Sequence, residues 1–412
     1  MKGFSGTPCY PLSVCRRFAR NPGGPSARKP SPEHPVPQRP RIVHVYKDYW
    51  PPVVGGIERS IHWMANALAD RYDITVLVNS RSRETRERLE GNILVVEVGE
   101  WGRAFSAPIS PCFPAAMRGL EADLWHFHIP NPTGDVSWLL SRPKGRLVAT
   151  YHSDVVRQRW AMAAYAPLLR AFLRRCDRIM PTSPRLIDAS PFLSPLRERC
   201  EPVPLGMPLE PFARTADTAA RVRDIKRAHK GMPLLCFVGR LRYYKGLQFA
   251  VAALPRLPKV QFLVIGDGPE REPLGRLAAE LGVADRVHFL GTLSDKEVVC
   301  HLQAADLFVL PSHLPSEAYG LSQIEALACG TPVVCCDLPT GVPWVNQDGV
   351  TGRVVPRADP EAFAKAVAEL LGDQHRRFAM SEAALRRARA EFDVAVMASR
   401  IDAVYRVVLA GK

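Results

Sequence analysis

Long apolar runs are missing from this chain, and none approaches the roughly 18–20 residues that a membrane-spanning helix needs. A helical membrane span is therefore excluded as a reading. Closely paired cysteines are missing as well: the ten cysteines are scattered without a C-x-x-C pair, and several lie in apolar strand-like runs. That pattern fits a reducing cytosol and excludes a disulfide scaffold or a zinc ribbon. No Asp-x-Asp pair occurs, and the nearest approach to clustered metal ligands is His126-Phe127-His128, so no metal is expected.

Acidic residues are few beside basic ones, 41 against 55, which gives a formal charge of +14. Seven of the cations fall in residues 1–40 against Glu33 alone. The rest are spread over the body, with no basic run interleaved with aromatics. Nucleic acid is thus excluded as a partner, and polyanionic substrates or an anionic membrane surface remain.

What is present is a two-part α/β pattern. A length of 412 residues exceeds one ordinary core. Residues 1–40 hold nine prolines and no periodic apolar pattern, and read as a disordered extension. From Arg41 the text changes: the run Ile42–Tyr46, a loop ending in Gly55-Gly56, a helical stretch 57–69 and the run Ile74–Val78 make a βαβ unit. Further compact runs at 93–98, 124–128 and 147–151 predict a parallel sheet, since strands alternating with helices need crossovers. Proline and glycine thicken around Val203–Pro208, and we place the first domain at 41–206. A second set of runs at 234–239, 260–266, 287–290, 307–311 and 332–336 predicts another doubly wound domain over 207–380. One long last helix, about 381–409, is expected to cross back to the first domain. Two such sheets facing a cleft would bind ligand beyond the carboxyl ends of their strands.

Chemistry-bearing residues sit where that rule puts them. Gly239-Arg240-Leu241-Arg242-Tyr243-Tyr244-Lys245-Gly246 follows the first strand of the second domain. A planar guanidinium and a point ammonium, in a glycine-bounded turn before a helix, suit a diphosphate. Glu317 and Glu325 flank Ala318-Tyr319-Gly320-Leu321, between a strand end at Pro311-Ser312 and Gly330-Thr331-Pro332. Gly330 predicts a helix over 321–329, with Glu317 in the loop ahead of it and Glu325 inside. Even wholly helical, eight residues span only about 12 Å, so the two carboxylates can reach different ends of one ligand while the N–H groups of Tyr319, Gly320 and Leu321 face its phosphates. In the first domain, Gly55-Gly56 lets backbone approach an anion at a helix start.

Gly239-Arg240-Leu241 with Lys245-Gly246, Gly266-Asp267-Gly268-Pro269, the Glu317/Glu325 pair and Gly349-Val350-Thr351-Gly352 stand in one order and spacing. In that arrangement, over about 41–410, the chain resembles the group 1 (family 4) retaining glycosyltransferases of the B-type (GT-B) fold. The resemblance implies that Arg240 and Lys245 hold a donor diphosphate, with Gly266 in the same donor site. It further implies that Glu325 holds the ribose hydroxyls and Glu317 the transferred sugar. It places His152, in Tyr151-His152-Ser153-Asp154, against the donor sugar, with Asp154 as an acceptor-side partner.

Two positions depart from that pattern: Ala318-Tyr319 stands where many members have Pro-Phe, and Val342-Pro343-Trp344-Val345-Asn346 stands where an acidic residue often lies. The segments around His152, Gly206 and Asn346 look most like bacterial mannosyl- and rhamnosyltransferases of surface polysaccharide, which use GDP-linked sugars. The expectation is a cytoplasmic, metal- and cofactor-independent hexosyltransferase acting on a glycan or lipid-linked acceptor. Front-face attack, assisted by the leaving diphosphate, is expected because no carboxylate nucleophile can be named. The alternatives are a UDP-sugar enzyme of the same family, an epimerase or phosphorylase of the same architecture, and a non-catalytic nucleotide-sugar-binding homologue. Residues 157–175, with Met162, Tyr165, Leu168, Leu169, Phe172 and Leu173 on one arc and Arg159, Arg170 and Arg174 opposite, are a candidate face for an anionic membrane.

Overall fold

The computed structural model describes residues 39–411 apart from 52, 54, 105, 106 and 155–158, and only the backbone of 159–163. Nearly all of the proline- and arginine-rich extension assigned to 1–40 therefore lies outside the described residues.

Strands β1 (Arg41–Val45), β2 (Asp73–Asn79), β3 (Arg86–Glu90), β4 (Ile93–Val98), the short hairpin β5 (Gly102–Ala104) and β6 (Ala107–Ile109), β7 (Leu124–Ile129), β8 (Arg146–Tyr151) and β9 (Arg178–Pro181) belong to the first half. Seven of them form one sheet in the order β3-β4-β2-β1-β7-β8-β9, parallel except for β3. Its inner strand β7 is buried along its whole length, which is why it reads as a near-continuous apolar run. The run is interrupted only by His126 and His128, both fully buried.

The second half carries β10 (Leu234–Val238), β11 (Gln261–Ile265), β12 (Val287–Gly291), β13 (Leu307–Leu310), β14 (Val333–Cys336) and β15 (Gly352–Val355). They form a six-stranded, wholly parallel sheet in the order β12-β11-β10-β13-β14-β15. In both sheets the order reverses beside the first strand, at β1/β7 and at β10/β13, the switch point at which such sheets open a crevice.

Three elements differ from the sequence reading. Strand β3, Arg-Glu-Arg-Leu-Glu, has no apolar alternation, because as an antiparallel edge it packs little and pairs charge with charge instead. The terminal helix is two helices, Gln374–Glu391 and Val394–Leu409, broken where the Asp393 side chain accepts the N–H of Ala395 and starts the second one afresh. The apolar arc of helix Arg159–Leu173 turns largely inward where its side chains are described: Leu169, Phe172 and Leu173 are buried against β7 and β8, and the Tyr165 hydroxyl bonds the buried Asp135. Of the arc residues whose side chains are described, only Leu168 is substantially exposed.

Helix Val394–Leu409 crosses onto the first half and lies beside helix Gly56–Leu68. Met397, Ile401, Val404, Tyr405 and Val408 join Ile42, Ile61, Met64, Leu68 and Val76 in one buried cluster. Asp402, only 5% exposed, accepts the Tyr72 hydroxyl at 2.8 Å and pairs with Arg71 at 2.9 Å. The C-terminal end of the chain is thus part of the first domain's core. Among the described residues no helix is long and apolar enough to cross a membrane.

Candidate active site

A cavity of about 460 Å³ opens between the two sheets, at the carboxyl ends of β8, β10 and β13 and the start of helix Gly56–Leu68. That is the size range of small-ligand sites. His152 and Gly56 line it from the first domain; Gly239, Lys245, Glu317 and Glu325 are among the residues lining it from the second.

The turn after β10 is held by backbone requirements. Gly246 sits at φ +70°, and a Cβ there would lie 2.0 Å from the Pro311 carbonyl. The turn therefore presses directly on the end of β13, and this brings Lys245 to the loop that follows β13. There Lys245 Nζ lies 2.5 Å from Glu317 Oε2, with both side chains about nine-tenths buried. Ser312 donates to the same carboxylate oxygen at 3.1 Å. Burial opposes the Lys245 charge, but Glu317, then Tyr244 and Glu325, outweigh it and hold the ammonium above its ordinary range. The sequence assigns the two residues separate tasks; in the structure they form one pair.

Glu325 stands on helix Leu321–Ala328, whose first turn follows Gly320 at φ +73°. No side chain caps that helix, and Gly320 and Leu321 line the cavity. Burial pushes the Glu325 carboxyl up to about 7, against Arg59 and Lys245, which favour its charge. Arg59, from the first domain's opening helix, is a neighbour that motif reading missed, since its spacing from Glu325 in sequence carries no signal.

His152 follows β8 and is 2% exposed. Burial lowers it to about 3, so the ring is neutral. Its Nε2 lies 3.3 Å from His128 Nδ1, and its Nδ1 is buried with no hydrogen-bond partner. Behind it, ligand atoms of His44, His126 and His128 lie within 4.8 Å of one another, a convergence that His126-Phe127-His128 alone did not announce because His44 comes from β1.

Other expected site residues lie elsewhere. Arg240 is exposed beside the cavity. Gly266 packs on the turn from below: a Cβ there would sit 2.1 Å from the Gly239 carbonyl, so the residue admits close approach of two strand ends rather than lining the cavity. Gly55 sits beside Glu58, whose carboxylate a Cβ would meet at 2.1 Å. Asp154 accepts from the Tyr151 hydroxyl at 2.5 Å and from Ser190 at 2.7 Å, which spends Oδ1 on anchoring the end of β8. Asn346 is spent on the sheet, donating to the Val333 and Arg353 carbonyls. Gly206 is pressed against Asp393 and Met397. Tyr319, by contrast, does line the cavity, while its ring is buried edge-on to Phe392, and its neighbour Trp344 lies under Arg387.

Residues 220–387 match the family "Glycosyl transferases group 1", and residues 54–210 match "Glycosyltransferase Family 4". The chain is 31% identical over 337 residues to O-antigen chain mannosyltransferase C of Escherichia coli, covering 81% of this chain and 89% of that one. It is 32% identical over 336 residues to D-rhamnosyltransferase WbpZ of Pseudomonas aeruginosa, covering 79% and 85%. In fold it is similar to sucrose-phosphate synthase of Thermosynechococcus elongatus, with a TM-score of 0.73 at 21% identity over 91% of this chain and all of that one. It is also similar to Anabaena HepE in complex with UDP, with a TM-score of 0.72 at 18% identity over 89% and 99%. Two facing parallel sheets, a cavity at their switch points and relatives matched over most of their length converge on one statement: the chain belongs to the group 1 (family 4) glycosyltransferases and is a glycosyltransferase of the GT-B fold.

Proposed function

We propose that the protein transfers a hexose, mannose or rhamnose, from a GDP-linked donor to a glycan or lipid-linked acceptor in surface polysaccharide synthesis, with retention of anomeric configuration. The observation that carries this reading is the Lys245–Glu317 pair in a cavity shared with Glu325 and neutral His152. A donor diphosphate entering beside Lys245 and the uncapped start of helix Leu321–Ala328 meets an ammonium and free N–H groups. As phosphate replaces Glu317 on Lys245, the Glu317 carboxylate is released to accept sugar hydroxyls. Glu325, one helix turn and more away, accepts the ribose hydroxyls, and Arg240 swings in from the rim to the diphosphate. His152 meets the sugar from the opposite wall.

Charge on the leaving diphosphate is met by Lys245, Arg240 and the helix start, without a resident metal or cofactor. The leaving phosphate oxygen takes the acceptor proton as the new bond forms on the same face. The sugar choice is supported by the mannosyl- and rhamnosyltransferase relatives. Neither Gly206 nor Asn346 supports it, because backbone packing fully occupies both. A cytoplasmic location fits the free cysteines. With the helix 159–173 arc turned inward, an anionic membrane surface is left to the basic excess of the chain alone.

The test is the melting temperature of the purified chain against GDP-mannose, GDP-rhamnose and UDP-sugars, followed by NMR of the product. Stabilisation by a UDP-sugar alone would replace the donor. An inverted anomeric centre would remove the role given to Glu317.

A further inference from the structure

The cavity wall formed by His152 continues inward as a row of hydrogen bonds with no gap. His152 Nε2 lies 3.3 Å from His128 Nδ1, and His128 Nε2 lies 3.1 Å from His44 Nδ1. His44 Nε2 lies 3.5 Å from the Tyr405 hydroxyl, that hydroxyl 2.5 Å from His126 Nδ1, and His126 Nε2 2.7 Å from Thr150 Oγ1. All four imidazoles are buried and held neutral by burial. The members come from four places: β1, β7, β8 with the residue after it, and the helix Val394–Leu409 that returns from the far end of the chain.

A neutral imidazole has one N–H and one bare nitrogen, so each imidazole link fixes the next; with the Tyr405 hydroxyl accepting from one neighbour and donating to the other, the row can run in only two directions. The terminal hydroxyl chooses between them. Thr150 Oγ1 has no second side-chain partner among the described residues, and a buried hydroxyl proton without an acceptor is costly. If Thr150 donates to His126 Nε2, then His126 Nδ1–H donates to Tyr405, Tyr405 to His44 Nε2, His44 Nδ1–H to His128 Nε2, and His128 Nδ1–H to His152 Nε2. Every proton in the row is used except that on His152 Nδ1, the one ring nitrogen of the row without a partner, which belongs to a residue lining the cavity where a ligand can accept it; the reverse direction would instead leave the Thr150 hydroxyl proton unaccepted within the sheet.

We propose that Thr150, His126, Tyr405, His44 and His128 are positioning residues that lock His152 as its Nδ1–H tautomer, presenting a hydrogen-bond donor to an oxygen of the bound donor substrate. A metal on His44, His126 and His128 would need the three nitrogens to aim at one point. Instead His126 and His128 stack at 4.4 Å with 27° between planes, His44 and His128 at 5.4 Å with 15°, and every nitrogen of the three is engaged in the row. The existence of the row is independent of the proposed reaction; its effect on donor handling rests on that reading.

The test is long-range proton–nitrogen NMR of the full chain labelled at histidine, for the wild type, Tyr405→Phe, Thr150→Val and Thr150→Ser. His152 is expected with Nδ1 protonated and Nε2 bare in the wild type and in Thr150→Ser, which keeps the hydroxyl. Both Tyr405→Phe and Thr150→Val should give a mixture of tautomers and raise the donor KM about five- to tenfold, the worth of one hydrogen bond, with a smaller change in kcat. A protonated Nε2 in wild-type His152, an unchanged His152 in both variants, or stoichiometric zinc in the purified protein would overturn the row. A tautomer change with an unaltered donor KM would leave the row standing and remove the contact proposed between His152 and the donor.

Discussion

Lys245 Nζ and Glu317 Oε2 are 2.5 Å apart in the cavity, so the cation that suits a phosphate is already satisfied by a carboxylate. Ligand binding must therefore exchange one anion for another. Glu317→Gln removes the competitor, and we expect a nucleoside diphosphate to bind that variant at least as tightly as wild type while transfer falls more than about tenfold. Calorimetry with the nucleoside diphosphate alone, beside a transfer assay, checks both halves. Weaker binding in the variant would mean that Glu317 supports the phosphate site instead of standing in for it.

Lys245→Ala and Arg240→Ala should differ in kind. On the proposed reading each removes a charge-assisted phosphate contact worth about 1.5–3 kcal/mol, roughly ten- to a hundred-fold in donor affinity. Only Lys245→Ala should also lower the melting temperature of the free protein, because it strands buried Glu317, whereas Arg240 is exposed. Equal melting temperatures for the two variants would contradict the buried pairing.

Glu325 gives a pH dependence with a definite sign. Its carboxyl is pushed up to about 7 by burial, from an ordinary 4.5, so the folded protein keeps a proton that the unfolded chain loses in between. Stability should fall as pH rises through that window and level off above about 7. In Glu325→Gln that part of the slope should vanish, as pH-dependent thermal melts of both proteins would show.

Chelation tests how the diphosphate is neutralised. Activity should survive EDTA if, as proposed, Lys245, Arg240 and the start of helix Leu321–Ala328 supply the positive charge. Loss of turnover restored by magnesium or manganese would assign that task to an ion.

Removing residues 394–412 should unfold more than a tail. The deletion strips Met397, Ile401, Tyr405 and Val408 from the first domain's core, and truncating even one such buried side chain to alanine typically costs about 2–5 kcal/mol. Proteolysis should then cut within 41–206 before it cuts within 234–355. Resistance equal to wild type would show that the helix is dispensable.

Both parallel sheets could be read from the sequence because buried parallel strands are written as apolar runs bounded by turn residues. Lys245, Glu317 and Glu325 were legible as a set because local geometry fixes them: a glycine turn, a strand end and one helix. What was hidden depends on distance along the chain. His44, His126 and Tyr405 meet across separations of 82 and 279 residues, Arg59 reaches Glu325 from the other domain, and no spacing rule covers either. Strand β3 escaped because its residues are chosen for an exposed edge. Asp154, Gly266 and Asn346 have the right types in the right places for chemistry, yet their hydrogen bonds and packing tie them to the scaffold.

The return of helix Val394–Leu409 to the first domain sets an order of events during synthesis. The amino-terminal sheet leaves the ribosome first but waits, with one apolar face incomplete, until residues 394–409 emerge. The second domain, whose strands end at Val355, can close its core in the meantime. The domain made first is finished last, so a chain released early carries a formed second domain and an open first domain, whose exposed apolar face is the kind that chaperones and proteases act on.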